Sequence, residues 1–230
     1  MARLQDMNLG DSPKILVSSA AGMGKTRLIP TLPGKIKLLS AEAGLLSIRH
    51  SKADIDVDVI SGMDDLRNAY VAMSKPDHGF AWVALDSISE IAEVCLAEKK
   101  ASSKDPRMAY GETAEVVLSL IKAFRDLPHV GVYFTAKETP VTDEATGRVT
   151  YQVMFPGKQL PPQIPYLFDE CFRLVSVENA DKTSDVWILT RNDGRSPGVK
   201  DRSGALDPYE PCDLGAIVKK IQNNNTEQGE

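Results

Sequence analysis

Cysteine is scarce in this chain. Cys95, Cys171 and Cys212 are scattered through 230 residues with no CxxC and no Cys/His spacing, which excludes a structural zinc centre and a disulfide-stapled scaffold. They read as reduced, ordinary thiols. Histidine is as sparse: His50, His78 and His129 share no spacing with one another or with acids, and are read as structural or surface residues. No apolar run approaches the roughly 20 residues of a membrane span. The N-terminal stretch MARLQDMNLGDSPK lacks the apolar core of a signal peptide. The expectation is a soluble, cytoplasmic protein with no membrane partner. Basic residues are not in excess either, since 27 Lys+Arg against 32 Asp+Glu leave a net charge of −5. Any contact with nucleic acid must therefore come from local patches. No internal repeat and no interdomain linker is found.

What is present fits one α/β domain with a sizeable core. Apolar runs bounded by turn signals alternate with helical periodicity, the pattern of a mostly parallel sheet covered by helices. The strands are expected at 14–18, 36–40, 55–60, 81–85 and 130–135, and the helices at 25–31, 63–73, 87–100 and 113–127. In the last helix Ala114, Val117, Leu118, Ile121 and Phe124 follow helical spacing, so one face is buried. After Thr135 the character changes. Residues 137–163 are polar, with a hairpin arm at 148–155; strands at 171–177 and 186–190 follow, antiparallel across a polar turn. A short helix is expected at 213–221, giving one domain over 1–222 and a disordered polar tail over 223–230.

The densest signal is SAAGMGKT at 19–26, between the apolar run KILVS and a helix-forming stretch. Ser19, Ala20, Ala21, Gly22, Met23, Gly24, Lys25 and Thr26 read as a phosphate-binding loop. Gly22 and Gly24 let backbone N–H groups approach phosphates, Lys25 reaches the β and γ phosphates, and Thr26 holds Mg²⁺. The usual pattern opens on glycine where this chain has Ser19, which serves if its φ stays negative. The competing reading is a surface turn with an incidental lysine.

A metal-bound triphosphate needs an acid at the end of a neighbouring strand, and AWVALDS supplies Asp86 as the second Mg²⁺ ligand. Many oligomeric ATPases place a catalytic acid directly after that aspartate, but here Ser87 follows. KLLSAEAGLLSI instead places Glu42 beyond the second strand, where a carboxylate orients the attacking water. The alternative is that Glu42 only caps a short helix.

Strand–Glu after the phosphate loop, followed by a strand ending Asp-Ser, resembles the RecA-like recombination ATPases. AAGMGKT, LLSAEAGLLSI, WVALDSISEI, YGETAEVVLSLIKAFRDLP, VYFTAKE, FPGKQLPPQIPYLFDE and VKDRSGALDPYEP, in that order over residues 12–221, look more closely like the short phage RecA-like proteins. Those include the Sak-type single-strand annealing ATPases. The resemblance implies a RecA-like core with ATP and Mg²⁺ as cofactors. It also implies single-stranded DNA as a partner, a ring or filament of identical subunits, and a phage protein at work in a bacterial host. A single-strand DNA-binding protein is a further partner in that setting. Position by position, it makes Thr135 a polar γ-phosphate sensor, and Lys200 and Arg202 cations that reach a neighbouring subunit's nucleotide. By sequence alone, KDR is a charged turn.

Two basic groups are candidates for DNA: Lys99, Lys100, Lys104 and Arg107 followed by Tyr110, and Arg148, Tyr151 and Lys158. Cations bind phosphates and tyrosines stack on bases, although most such clusters are solvated surface. Two other classes compete with an ATP-dependent recombination protein. One is an accessory NTPase such as a helicase loader or packaging motor; the other is a nucleotide-gated DNA-binding module without significant turnover. A small-molecule kinase is disfavoured, because no arginine-rich lid follows the core.

Overall fold

The computed structural model describes residues 12–42, 44–103 and 105–227. Five parallel strands form its centre: β1 (Lys14–Ser19), β2 (Ile36–Ser40), β3 (Ile55–Val59), β4 (Trp82–Asp86) and β5 (Gly131–Thr142). β7 (Glu170–Glu178) continues the parallel run beside β1, and β8 (Ser184–Leu189) returns antiparallel to it. β10 (Tyr209–Glu210) closes that edge, giving the order β3-β2-β4-β5-β1-β7-β8-β10. Two strands lie off this path. β6 (Val149–Val153) pairs antiparallel with the far half of β5, and β9 (Lys200–Asp201) pairs with the start of β7.

Alternate residues of each central strand serve opposite layers, which is why the strands read as continuous apolar runs. Leu16, Leu39, Val83, Leu85 and Phe134 pack under the helices α2 (Met63–Met73), α3 (Ile88–Ser102) and α4 (Pro106–Arg125). On the other face Ile15, Val17, Leu38, Trp82 and Tyr133 share a core with Leu214, Ile217, Val218 and Ile221 of α5 (Leu214–Glu227). With both faces covered, the C-terminal ends of the strands are left open as the place for a ligand.

Several expected boundaries move for identifiable reasons. The helix expected at 25–31 is α1 (Lys25–Leu28) followed by a 3₁₀ turn over Ile29–Thr31, because Pro30 cannot donate in a helix interior. α4 begins at Pro106 instead of residue 113. Proline suits the first helical position, and Asp105 accepts from the Arg107 N–H at 2.8 Å. β5 does not stop at Thr135 but runs on to Thr142, because β6 supplies an antiparallel partner for its polar half. α5 extends to Glu227 and so takes in residues 223–227 of the expected tail. Asn224 there donates to the Ser203 carbonyl at 2.8 Å, and residues 228–230 lie outside the described residues. Among the described residues, no helix is long and apolar enough to cross a membrane.

Glu170, at the start of β7, is 1 % exposed and accepts from the Ser203 N–H at 3.1 Å, with Asp201 opposite it in the ladder. Burial, then the Asp201 charge, pushes its carboxyl from 4.5 to about 8. The folded chain therefore keeps a proton that the unfolded chain has released between those values. Stability is greatest below pH 4.5, falls as pH rises through about 8, and is level above it as far as this group is concerned. Glu170→Gln is expected to remove that slope and to raise stability at pH 8 by roughly 1–4 kcal/mol. Urea unfolding of parent and variant at several pH values checks it; parallel pH profiles would refute it.

Candidate nucleotide site

β1 delivers Ser19 buried at the sheet end, after which Ala20, Ala21 and Gly22 lie exposed and the chain turns into α1. Gly22 and Gly24 take φ values of 79° and 100°, the left-handed region that glycine enters without strain. Ser19 does not need it, so serine serves where glycine is usual. The Lys25 side chain folds back over the loop, donating to the Ser19 carbonyl at 3.2 Å, the Ser19 hydroxyl at 3.3 Å and the Ala20 carbonyl at 3.3 Å. Burial lowers its pKa, opposed by the charges of Glu42 and Asp86. Tyr133 on β5 donates to the Lys25 carbonyl at 2.8 Å, which fixes the start of α1 to the sheet.

Asp86 ends β4, one strand removed from β1 because β5 lies between them. The Thr26 hydroxyl nevertheless donates to Asp86 Oδ2 at 2.6 Å, and the Thr135 hydroxyl on β5 donates to Oδ1. Burial pushes the Asp86 carboxyl above the usual range, and these two hydroxyls pull it back in part. Gly44 closes the group from above. A Cβ there would stand 3.0 Å from Thr26 Oγ1 and 3.7 Å from Asp86 Oδ2, so glycine keeps the space beside this pair open. A hydroxyl paired with a carboxylate supplies the oxygen donors that a hard cation takes. Thr26 Oγ1 and Asp86 would hold Mg²⁺, with phosphate oxygens and waters as its other ligands. When bound, it neutralises charge on the phosphates.

Glu42, two residues past β2, is tied to the start of α3. The Ser87 hydroxyl donates to its Oε1 and also accepts the Glu90 N–H at 3.2 Å, capping α3. Lys137 on β5 stands 3.8 Å from the same Glu42 oxygen and donates to Glu90. The sequence assigns no site role to Lys137, Gly44 or Tyr133, and notes Ser87 only as the residue that follows Asp86. Ser87 alone carries a local signal, as a helix cap directly before Ile88 with Glu90 three residues on.

The other expected residues are spread more widely. Lys200 and Arg202 flank Asp201 at the β7 edge. Lys200 is in register with Cys171 and, through it, Leu16, three residues back along β1 from Ser19. Arg202 pairs with Asp169 at 3.5 Å. Both line one cavity with Ser18, the residue before the phosphate loop. The basic group at the α3–α4 junction is partly self-engaged: Lys99 pairs with Glu112 at 3.3 Å, and Lys100 lies 4.9 Å from the centre of the Tyr110 ring. Arg107 is exposed, and Lys104 lies outside the described residues. A Cβ at Gly157 would stand 3.6 Å from the Tyr110 ring, so the exposed Lys158 belongs beside this group. On the arm, Arg148 donates to the Gly194 carbonyl, and Tyr151 lies under the Arg173 guanidinium at 3.7 Å. Arg173 is held in turn by Glu138, at 2.8 and 3.0 Å.

A strand–glycine loop–helix cradle, a hydroxyl–carboxylate pair for a metal and an open sheet end define a nucleotide-binding P-loop ATPase core. A family model described as an AAA domain matches residues 11–203, and the chain belongs to that family. No curated protein matches the chain.

Proposed function

We propose that this ATPase is an ATP-dependent, single-stranded DNA-binding recombination protein that anneals or pairs strands. The observation that carries the reading is the course of β5. At Thr135 the strand touches Asp86 of the nucleotide site, and seven residues later the same strand ends as one side of the arm that bears Arg148 and Tyr151. A shift at the phosphates is felt where the cations and the aromatic ring lie. The separate carboxylate at Glu42, in place of an acid after Asp86, supports the RecA-like reading over a loader or packaging motor. In this reading the chains assemble as a ring or filament, and Lys200 and Arg202 serve the neighbour's nucleotide.

The test is fluorescence anisotropy of a labelled single strand with and without ATP and Mg²⁺. Affinity is expected to rise at least about 10-fold with the nucleotide and to fall with salt, as counterion release requires. DNA affinity that ignores nucleotide would overturn the proposal.

A further inference from the structure

Lys137 has no part in the phosphate loop or the metal pair, yet its ammonium stands 3.8 Å from Glu42. Its backbone sits in register with Ser19, at the mouth of the loop, and its N–H donates to the Ser89 hydroxyl at 2.9 Å, which fixes the strand end against α3. From there its ammonium lies between two carboxylates, in contact with Glu90 and 3.8 Å from Glu42 Oε1. The Ser87 hydroxyl holds the same Glu42 oxygen, so this carboxylate is gripped by one neutral donor and one cation. Burial works against the Lys137 charge, but the hydrogen bond to Glu90 and the charges of Glu90, Glu42 and Glu93 lift its pKa above the usual lysine value. It is a permanent cation aimed at the group assigned to the attacking water.

We propose that Lys137 is a positioning residue for hydrolysis within its own subunit: anchored by Glu90, it holds Glu42 at the orientation that water activation requires. This deepens the ATPase reading above and rests on it. A half-buried carboxylate near a triphosphate is repelled by the incoming charge. A cation 3.8 Å away, on a strand that also carries Thr135, offsets that repulsion and keeps the carboxylate in place. Because Lys137 acts through Glu42, its loss should show in turnover and not in ATP affinity. It should also matter little once Glu42 is already disabled.

The experiment measures steady-state turnover, ATP affinity by calorimetry and thermal melting for Lys137→Met, Lys137→Arg, Glu42→Gln and the Lys137→Met/Glu42→Gln double variant. Lys137→Met is expected to lower kcat at least about 10-fold with ATP affinity within about 2-fold of the parent. Lys137→Arg should recover most of that turnover. In the Glu42→Gln background Lys137→Met should cost less than about 2-fold, the non-additivity of residues acting as one unit. Three results would overturn the inference: a Lys137→Met variant with parental kcat, one that loses ATP affinity and turnover together, or a cost that multiplies in full on Glu42→Gln. If Glu42→Gln itself turned over at the parental rate, the assignment of the water-activating carboxylate would fail first. A silent Lys137→Met beside an inactive Glu42→Gln sinks the Lys137 role alone.

Discussion

Lys25→Ala is expected to raise the dissociation constant for ATP·Mg²⁺ by at least about 10²-fold, since two charge-assisted hydrogen bonds to phosphate are worth roughly 3–6 kcal/mol. The geometry says why so little would remain. The ammonium is the loop's own cation, and its three hydrogen bonds all go to Ser19 and Ala20, the residues that open the loop. These bonds are long and made to neutral acceptors. A triphosphate exchanges them for bonds to anionic oxygens, and the partial desolvation that lowers the Lys25 pKa is then compensated. Alanine removes the charge and leaves the glycine backbone and the α1 N-terminus as the remaining attraction, the weaker part of a P-loop's grip. The fold should survive, because Lys25 is anchored to the sheet through its carbonyl and Tyr133, which the substitution keeps. Calorimetry with ATP and Mg²⁺, alongside a thermal melt, measures both. Parental ATP affinity in a folded Lys25→Ala variant would show that this loop does not hold the triphosphate.

How much of this was legible in the sequence depends on the range of the interaction concerned. The phosphate loop is local, with strand, glycines, lysine and threonine within one stretch, and its place at the end of β1 follows from the apolar run before it. Asp86 and Glu42 each end an apolar run, so their place at the C-terminal edge of a parallel sheet could be read without knowing the strand order. Ser87 and Lys137 could not be read that way. Their bonds to Glu42 and Glu90 join residues 45 and 47 positions apart, and nothing in the local pattern distinguishes Lys137 from any lysine in a polar stretch. Gly44 was hidden for a related reason: its value lies in the side chain it lacks beside Thr26, not in a turn. The far half of β5 read as loop because strand pairing with β6, not burial, orders it, and its outer residues are exposed on both faces. The first turns of α4 were missed because the junction residues are basic and polar, and only the Asp105–Pro106 pair marks the start.

Glu42→Gln is expected to leave ATP bound and to slow hydrolysis by about 10²–10⁴-fold, the usual worth of a positioned general base. The substitution keeps the size of the side chain and an oxygen that can still accept from Ser87, so the hydrogen bond that shapes this corner survives. Lys25, Thr26 and Asp86, the residues assigned to the nucleotide and the metal, are untouched. Removing a negative charge beside the triphosphate should, if anything, tighten binding slightly. What is lost is the carboxylate's capacity to orient a water and take its proton. The competing view, in which Glu42 serves only to shape the turn over Gly44–Ile48, makes the opposite forecast, because glutamine would support the same turn and turnover would scarcely change. Single-turnover hydrolysis with enzyme in excess separates the two, since it reports the chemical step without product release. A loss of only a few-fold, with ATP demonstrably bound, would return Glu42 to a structural role. It would also move the search for the water-activating group to Glu90, the other carboxylate that Lys137 holds at this edge of the site.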